Sequence, residues 1–266
     1  MKKTICRGVL LCATVPGEKE ELLSRISFHQ IDTFAILKTM RATTLDESSS
    51  AIMPSPLVNL DLMIDKTILL TIINLMIVSL TMFMVYQSMP ILIRSPIPAG
   101  FAGDAIATTN VQLPFMVISF IVSSAAGIII SKFGNVNTTL VGNVISTMGF
   151  FLLFMFHSST ILISINLGII AIGLSLSRVG GYNIVAASTP NQYSGIAYGT
   201  TVLSFYIGMA MGPTIAGLYM QTQQVSVSNA IVSGSFPSPE AYNMIFLTAA
   251  IISLTSIGLI IFLKKI

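Results

Sequence analysis

From Lys66 onward the chain alternates between long uncharged apolar runs and short polar interruptions. The runs cover residues 67–93, 111–131, 138–156, 161–188, 194–220 and 242–263. A bilayer core is crossed by about 20 consecutive apolar residues in a helix, so each run predicts one membrane-spanning helix. The interruptions carry turn chemistry. Residues 94–110 hold Pro96, Pro98, Gly100 and Gly103, and Lys132-Phe133-Gly134-Asn135 reads as a tight turn. His157-Ser158-Ser159 closes the third run, Pro190 marks the turn after the fourth, and residues 221–239 form a polar Ser/Gln-rich loop. Pro114 falls in the predicted first turn of the second helix, where proline is tolerated.

Before Lys66 the pattern changes. Charges are frequent and no apolar run approaches spanning length. Leu22, Leu23, Ile26, Phe34 and Leu37 recur at near-helical spacing within 17–41, residues 43–50 read as loop, and Pro54-Ser55-Pro56 ends any helix. Residues 1–66 are therefore expected to be an N-terminal tail or linker, and 67–266 a six-helix transmembrane domain. Residues 1–15 start basic, but their apolar run is short and Arg7 interrupts it, which argues against a cleaved signal peptide.

Composition supports the same class. The chain is 53% hydrophobic and 9% charged, with a mean hydropathy of +0.86, where soluble domains carry roughly 25% charged residues. An all-α integral membrane bundle is expected. The net charge of +3 is spread over tail and loop ends, which gives no footprint for nucleic acid. Cys6 and Cys12 lie in the tail without CxxC or Cys/His spacing, so neither a metal nor a cofactor is expected. With six spans both ends share a side. Lys66, Lys132, Lys264 and Lys265 fall there, against Arg94, Asp104 and Glu240 opposite. The positive-inside rule then places both termini in the cytoplasm of a cell-membrane protein. Tryptophan is absent, which leaves the seven tyrosines as interfacial anchors.

Small residues recur at i, i+4 spacing, which permits close helix approach. Gly195 and Gly199, then Gly208, Gly212 and Ala216, line the fifth span; Ser119, Ser123, Gly127 and Ser131 line the second; Gly173, Ser177 and Gly181 line the fourth. Pro213 predicts a bend near residues 209–212. Arg178 is the one charge well inside a span, ten residues from its end, or roughly 15 Å deep. Burial there costs on the order of 3 kcal/mol. The side chain either snorkels to the interface or anchors an anion or a partner's carboxylate. No Asp or Glu lies within a span, and Asp104 reads as a helix cap or a solvated loop acid. Asn74, Gln87, Gln112, Asn143, Asn166, Asn183 and Tyr206 are the other polar groups at depth. Such amides commonly hydrogen-bond across helices. Met76, Met82, Met84, Met209 and Met211 supply adaptable apolar surface.

Several of these segments are similar, in order and spacing, to the C-terminal six-helix half of a major facilitator superfamily transporter. The branch most resembled is the fourteen-helix drug:proton antiporters. The segments are Pro56–Leu62 (PLVNLDL), Gly100–Pro114, Ser131-Lys132-Phe133-Gly134-Asn135, and the run from Gly195 through Gly212-Pro213. The resemblance implies that Lys132 and Gly134 belong to the cytoplasmic signature loop, here without its second basic residue. It implies that the first, second, fourth and fifth spans line a cavity. Asn74, Gln87, Gln112, Arg178, Asn183, Tyr206 and Met209 are the cavity candidates, and Gly195, Gly199, Gly208, Gly212 and Pro213 the packing and bending positions. It further implies a small lipophilic substrate, the lipid bilayer as surroundings, and a second six-helix bundle as partner, since the site lies between two bundles.

A non-transporting scaffold or vestigial subunit from a truncated transporter gene is the alternative. An intramembrane enzyme is disfavoured. The two histidines, His29 and His157, sit in tail and loop, far from HExxH spacing, and no span offers a base beside a serine.

Overall fold

The computed structural model describes residues 65–97, 99–228 and 233–265. The expected tail, its helix over 17–41, Cys6, Cys12, His29 and the segment Pro56–Leu62 lie outside the described residues, apart from Asp65 and Lys66. Six long helices follow in order: α1 (Lys66–Arg94), α2 (Ala105–Phe133), α3 (Asn135–Met155), α4 (Thr160–Ser188), α5 (Ser194–Thr222) and α6 (Pro239–Lys265). A 3₁₀ turn, Asn191–Tyr193, joins α4 to α5. All six helices are long and apolar enough to cross a membrane. The fold is all-α in class and fits a multi-pass membrane protein.

Local chemistry sets the helix ends. The Asp65 carboxylate accepts from the Thr67 amide at 2.8 Å and caps α1. Asp104 accepts from the Ala107 amide at 2.7 Å and caps α2, six residues before the expected start at 111. Pro114 consequently stands well inside α2 rather than in its first turn. Gly134 separates α2 from α3 at φ +80° and ψ 160°, a backbone region essentially reserved for glycine. Pro239 is the first residue of α6, where its missing N–H costs nothing. The loop expected over 221–239 is instead partly ordered. Strands β1 (Gln224–Ser228) and β2 (Ser233–Pro237) pair antiparallel, Val225 opposite Phe236.

Helices α1 and α4 are central and touch each other. Helix α3 packs on α4 and α6, and α6 packs on α1, which closes a four-helix core. Helix α5 leans chiefly on α1, and α2 chiefly on α4. Exchanging α1, α2 and α3 for α4, α5 and α6 leaves this pattern of neighbours unchanged. The described bundle is thus two three-helix units with equivalent packing.

The core is filled by Met84 and Met89 of α1, Phe150 and Leu153 of α3, Ile163 and Leu167 of α4, and Tyr242 and Phe246 of α6, each essentially inaccessible. A smaller cluster of Ile184, Ile260 and Leu263 sits toward the lysine-bearing end. Glycines set the closest crossings. A Cβ at Gly142 of α3 would stand 2.7 Å from the Gly173 carbonyl of α4, and one at Gly212 of α5 would stand 2.7 Å from the Met84 amide of α1. Gly208 likewise sits against the Met76 carbonyl.

Two expected seams differ. Gly195 and Gly199 have open space where a side chain would be, so the first glycine pair of α5 meets no neighbour among the described residues. On α2, Ser119 and Ser123 are half-buried, Gly127 and Ser131 exposed, and the buried contacts are Thr108, Val111, Phe115 and Ala126. Helix periodicity marks a face, but the neighbour decides whether that face is used. The outward surface is apolar, with Phe120 75%, Ile128 65% and Leu203 60% exposed. A continuous surface of that kind is at home in lipid.

Candidate functional site

The cavity candidates separate into three environments. Asn74 is fully buried in the core and accepts from the Asn143 amide at 2.8 Å. It therefore lines no cavity within this bundle. Gln112 is half-buried and donates to the Tyr86 carbonyl at 3.0 Å, beside a Tyr86–Phe115 ring contact at 5.1 Å. It fastens α2 to α1. Gln87 is exposed toward the Arg94 end of α1, and Asn183 is exposed with its amide donating to its own helix at the Val179 carbonyl.

Arg178 and Tyr206 stand on neighbouring helices, α4 and α5. Tyr182 lies one turn beyond Arg178 on α4, and its ring meets that of Tyr198 on α5 at a centroid distance of 5.4 Å. Tyr198 and Tyr206, 51% and 57% exposed, are two turns apart on one face of α5. Met209 follows, half-buried. At 1.5 Å per residue from the joined ends of α4 and α5, on the side of the bundle where Lys66, Lys132, Lys264 and Lys265 lie, Tyr198, Tyr182, Arg178 and Tyr206 lie roughly 6, 9, 15 and 18 Å deep. They form a graded track between α4 and α5.

Among the described residues the acidic side chains are Asp65, Asp104 and Glu240, all at helix ends. No carboxylate of the described bundle stands at the depth of Arg178. Arg178 is half-buried as a residue, and its guanidinium has a planar donor fork suited to a carboxylate, sulfonate or phosphate. At the shallow end of the track a pocket of about 310 Å³ opens between α4 and α5, lined by Val185, Ala186, Thr189, Ser194, Gly195, Ala197 and Tyr198. Gly195 thus lines an opening instead of a helix seam.

Tyr182 and Tyr198 are functional candidates that the sequence reading left among the interfacial anchors. The available signal was Tyr182 four residues after Arg178 and Tyr198 eight before Tyr206, the spacing of one helix face. Two other tyrosines also depart from an anchoring role: Tyr242 is fully buried, and Tyr86 packs on Phe115. Lys132 lies in the last turn of α2 and Gly134 makes the adjoining turn. Helix α5 runs unbroken through Pro213, whose missing N–H leaves the Met209 carbonyl without its usual partner.

A second pocket of about 170 Å³ lies at the opposite end, against His157, Tyr242 and Phe101. His157 is tied to the Phe154 carbonyl at 3.1 Å and set edge-on to Phe246. Compared with known proteins, the chain matches no family model and no curated protein.

Proposed function

We propose that the chain is one half of a secondary active transporter of the major facilitator type, closest in kind to the drug:proton antiporters. It exports small lipophilic compounds by alternating access and works with a second six-helix bundle, a copy of itself or a related half. It resides in the cell membrane with both termini and the Lys66, Lys132, Lys264 and Lys265 end in the cytoplasm.

The observation that carries this reading is the equivalence of α1–α3 and α4–α6 in their packing. Paired three-helix units, nested within six-helix halves, are the construction that lets one bundle rock against another about a central site. The glycines at 208 and 212 give α5 a smooth face that lies directly on the α1 backbone. Arg178 supplies a polar group at depth.

Purification from native membranes, followed by reconstitution, tests it. The chain is expected to bring a second six-helix bundle with it, and vesicles holding the assembly should extrude a lipophilic dye. Arg178→Ala should abolish extrusion with folded yield retained. Dye efflux from vesicles holding only the monomeric chain would refute the need for a second bundle, and unchanged efflux after Arg178→Ala would leave that side chain a snorkelling one.

A further inference from the structure

The geometry points to an amphipathic aromatic anion as the molecule received between α4 and α5. This deepens the transporter reading by naming its substrate class, and rests on that reading only for the step of translocation. The ring of the ligand lies against the Tyr182–Tyr198 pair, whose centroids are 5.4 Å apart, and its acid group meets the Arg178 guanidinium one turn deeper. Entry is through the pocket of about 310 Å³ at the lysine-bearing end, whose lining reaches the Tyr198 member of that pair.

Three features select the sign of charge. Arg178 holds a permanent positive charge where the dielectric is low. The described spans contain no carboxylate to receive a cation. Lys66, Lys132, Lys264 and Lys265 stand at the entry end and raise the local concentration of anions. Three features select an aromatic body. Tyr182 follows the charge by one turn on α4 with the Tyr198 ring against it, Tyr198 and Tyr206 present more than half of their surface, and rings favour offset contact with further rings. The same chemistry would repel lipophilic cations.

The test is equilibrium binding of naphthalene-2-sulfonate, with 2-naphthylmethylammonium as cationic counterpart, to the full chain in phosphatidylcholine nanodiscs. The sulfonate should bind at least tenfold more tightly than the ammonium. Arg178→Gln should remove that preference, Arg178→Lys should keep part of it, and Tyr198→Ala should weaken sulfonate binding several-fold while the lipid-facing Leu203→Ala leaves it unchanged. Equal binding of the two probes overturns the proposal, and this comparison needs no variant to fold. Loss of sulfonate binding in discs containing phosphatidylglycerol overturns it too, because the occupant is then a lipid headgroup. Loss confined to preparations carrying a second bundle overturns it in favour of a partner carboxylate on Arg178. Selective binding without vesicle efflux upholds the site and fells the transporter reading; efflux without selective binding does the reverse.

Discussion

The side-chain amide of Asn143 donates to the Asn74 carbonyl oxygen at 2.8 Å, joining α3 to α1 in the middle of the bundle. The same Asn143 nitrogen donates to the Ser256 carbonyl of α6 at 3.2 Å, and its oxygen accepts from the Ser177 hydroxyl of α4. One amide therefore ties together the four helices of the core. Close by, the Thr147 and Ser253 hydroxyls pair at 2.7 Å between α3 and α6. The side-chain NH2 of Asn74 has no partner, so Asn74 is held in the network through Asn143 alone.

Replacing Asn143 by Ala should loosen the core as a unit. Interhelical bonds in membranes average about 0.6 kcal/mol each, so losing three predicts a loss of about 2 kcal/mol, with Asn74 left unpaired. Asn74→Ala removes one of those bonds together with the unpartnered NH2 group, and should cost less than half as much. Thermal melting of the two variants in the same detergent checks the ranking; equal costs would contradict it.

The glycines of α5 should divide by depth. Gly212→Ala places a methyl group 2.7 Å from the Met84 amide, so α5 must draw away from α1, and overpacking of this kind costs about 1–3 kcal/mol. Gly199→Ala meets nothing within 4 Å and replaces a weak helix former by the best one. Gly199→Ala should leave the melting temperature unchanged or raised, while Gly212→Ala lowers it.

The helices were legible because charge is absent where lipid is expected, and the Asp104 cap was legible as an acid beginning a helical segment. The start of α2 was not, because Thr108 and Thr109 read as loop residues. In the structure their hydroxyls bond the Asp104 and Ala105 carbonyls at 3.1 and 3.0 Å, which makes them compatible with a helix turn. The glycine spacing at 195 and 199 was visible but its neighbour was not, since spacing along one helix contains no information on what lies across from it. A cavity position for Asn74 is what the resemblance implies, and only the fold shows its hydrogen-bond partner, 69 positions away. The pairing of Tyr182 with Tyr198 required knowing that α4 and α5 approach beside the turn that joins them.

The α2–α3 turn should be intolerant of side chains for conformational reasons alone. Gly134 sits at φ +80° with free space around the position of a Cβ, so Gly134→Ala meets no atom and only the backbone strain remains. A residue held in that region costs of order 1–3 kcal/mol. The loss should be similar for Ala and Ser, and a steep dependence on side-chain size in melting experiments would show a steric cause instead.

Membrane topology follows from six antiparallel helices with lysines gathered at one end. With Cys6 and Cys12 replaced by Ser, single cysteines introduced by Lys132→Cys and by Gln224→Cys should react with a membrane-impermeant maleimide from opposite faces. Lys132 ends α2 beside Gly134, and Gln224 begins the ribbon that follows α5. Three helices, α3, α4 and α5, separate the two positions, and an odd number of crossings must invert the side. Lys264→Cys, reached from Gln224 by the single crossing of α6, should label together with Lys132→Cys. If the Gln224 and Lys264 cysteines react from the same face, α6 does not cross, and the equivalence between the two three-helix units is lost with it.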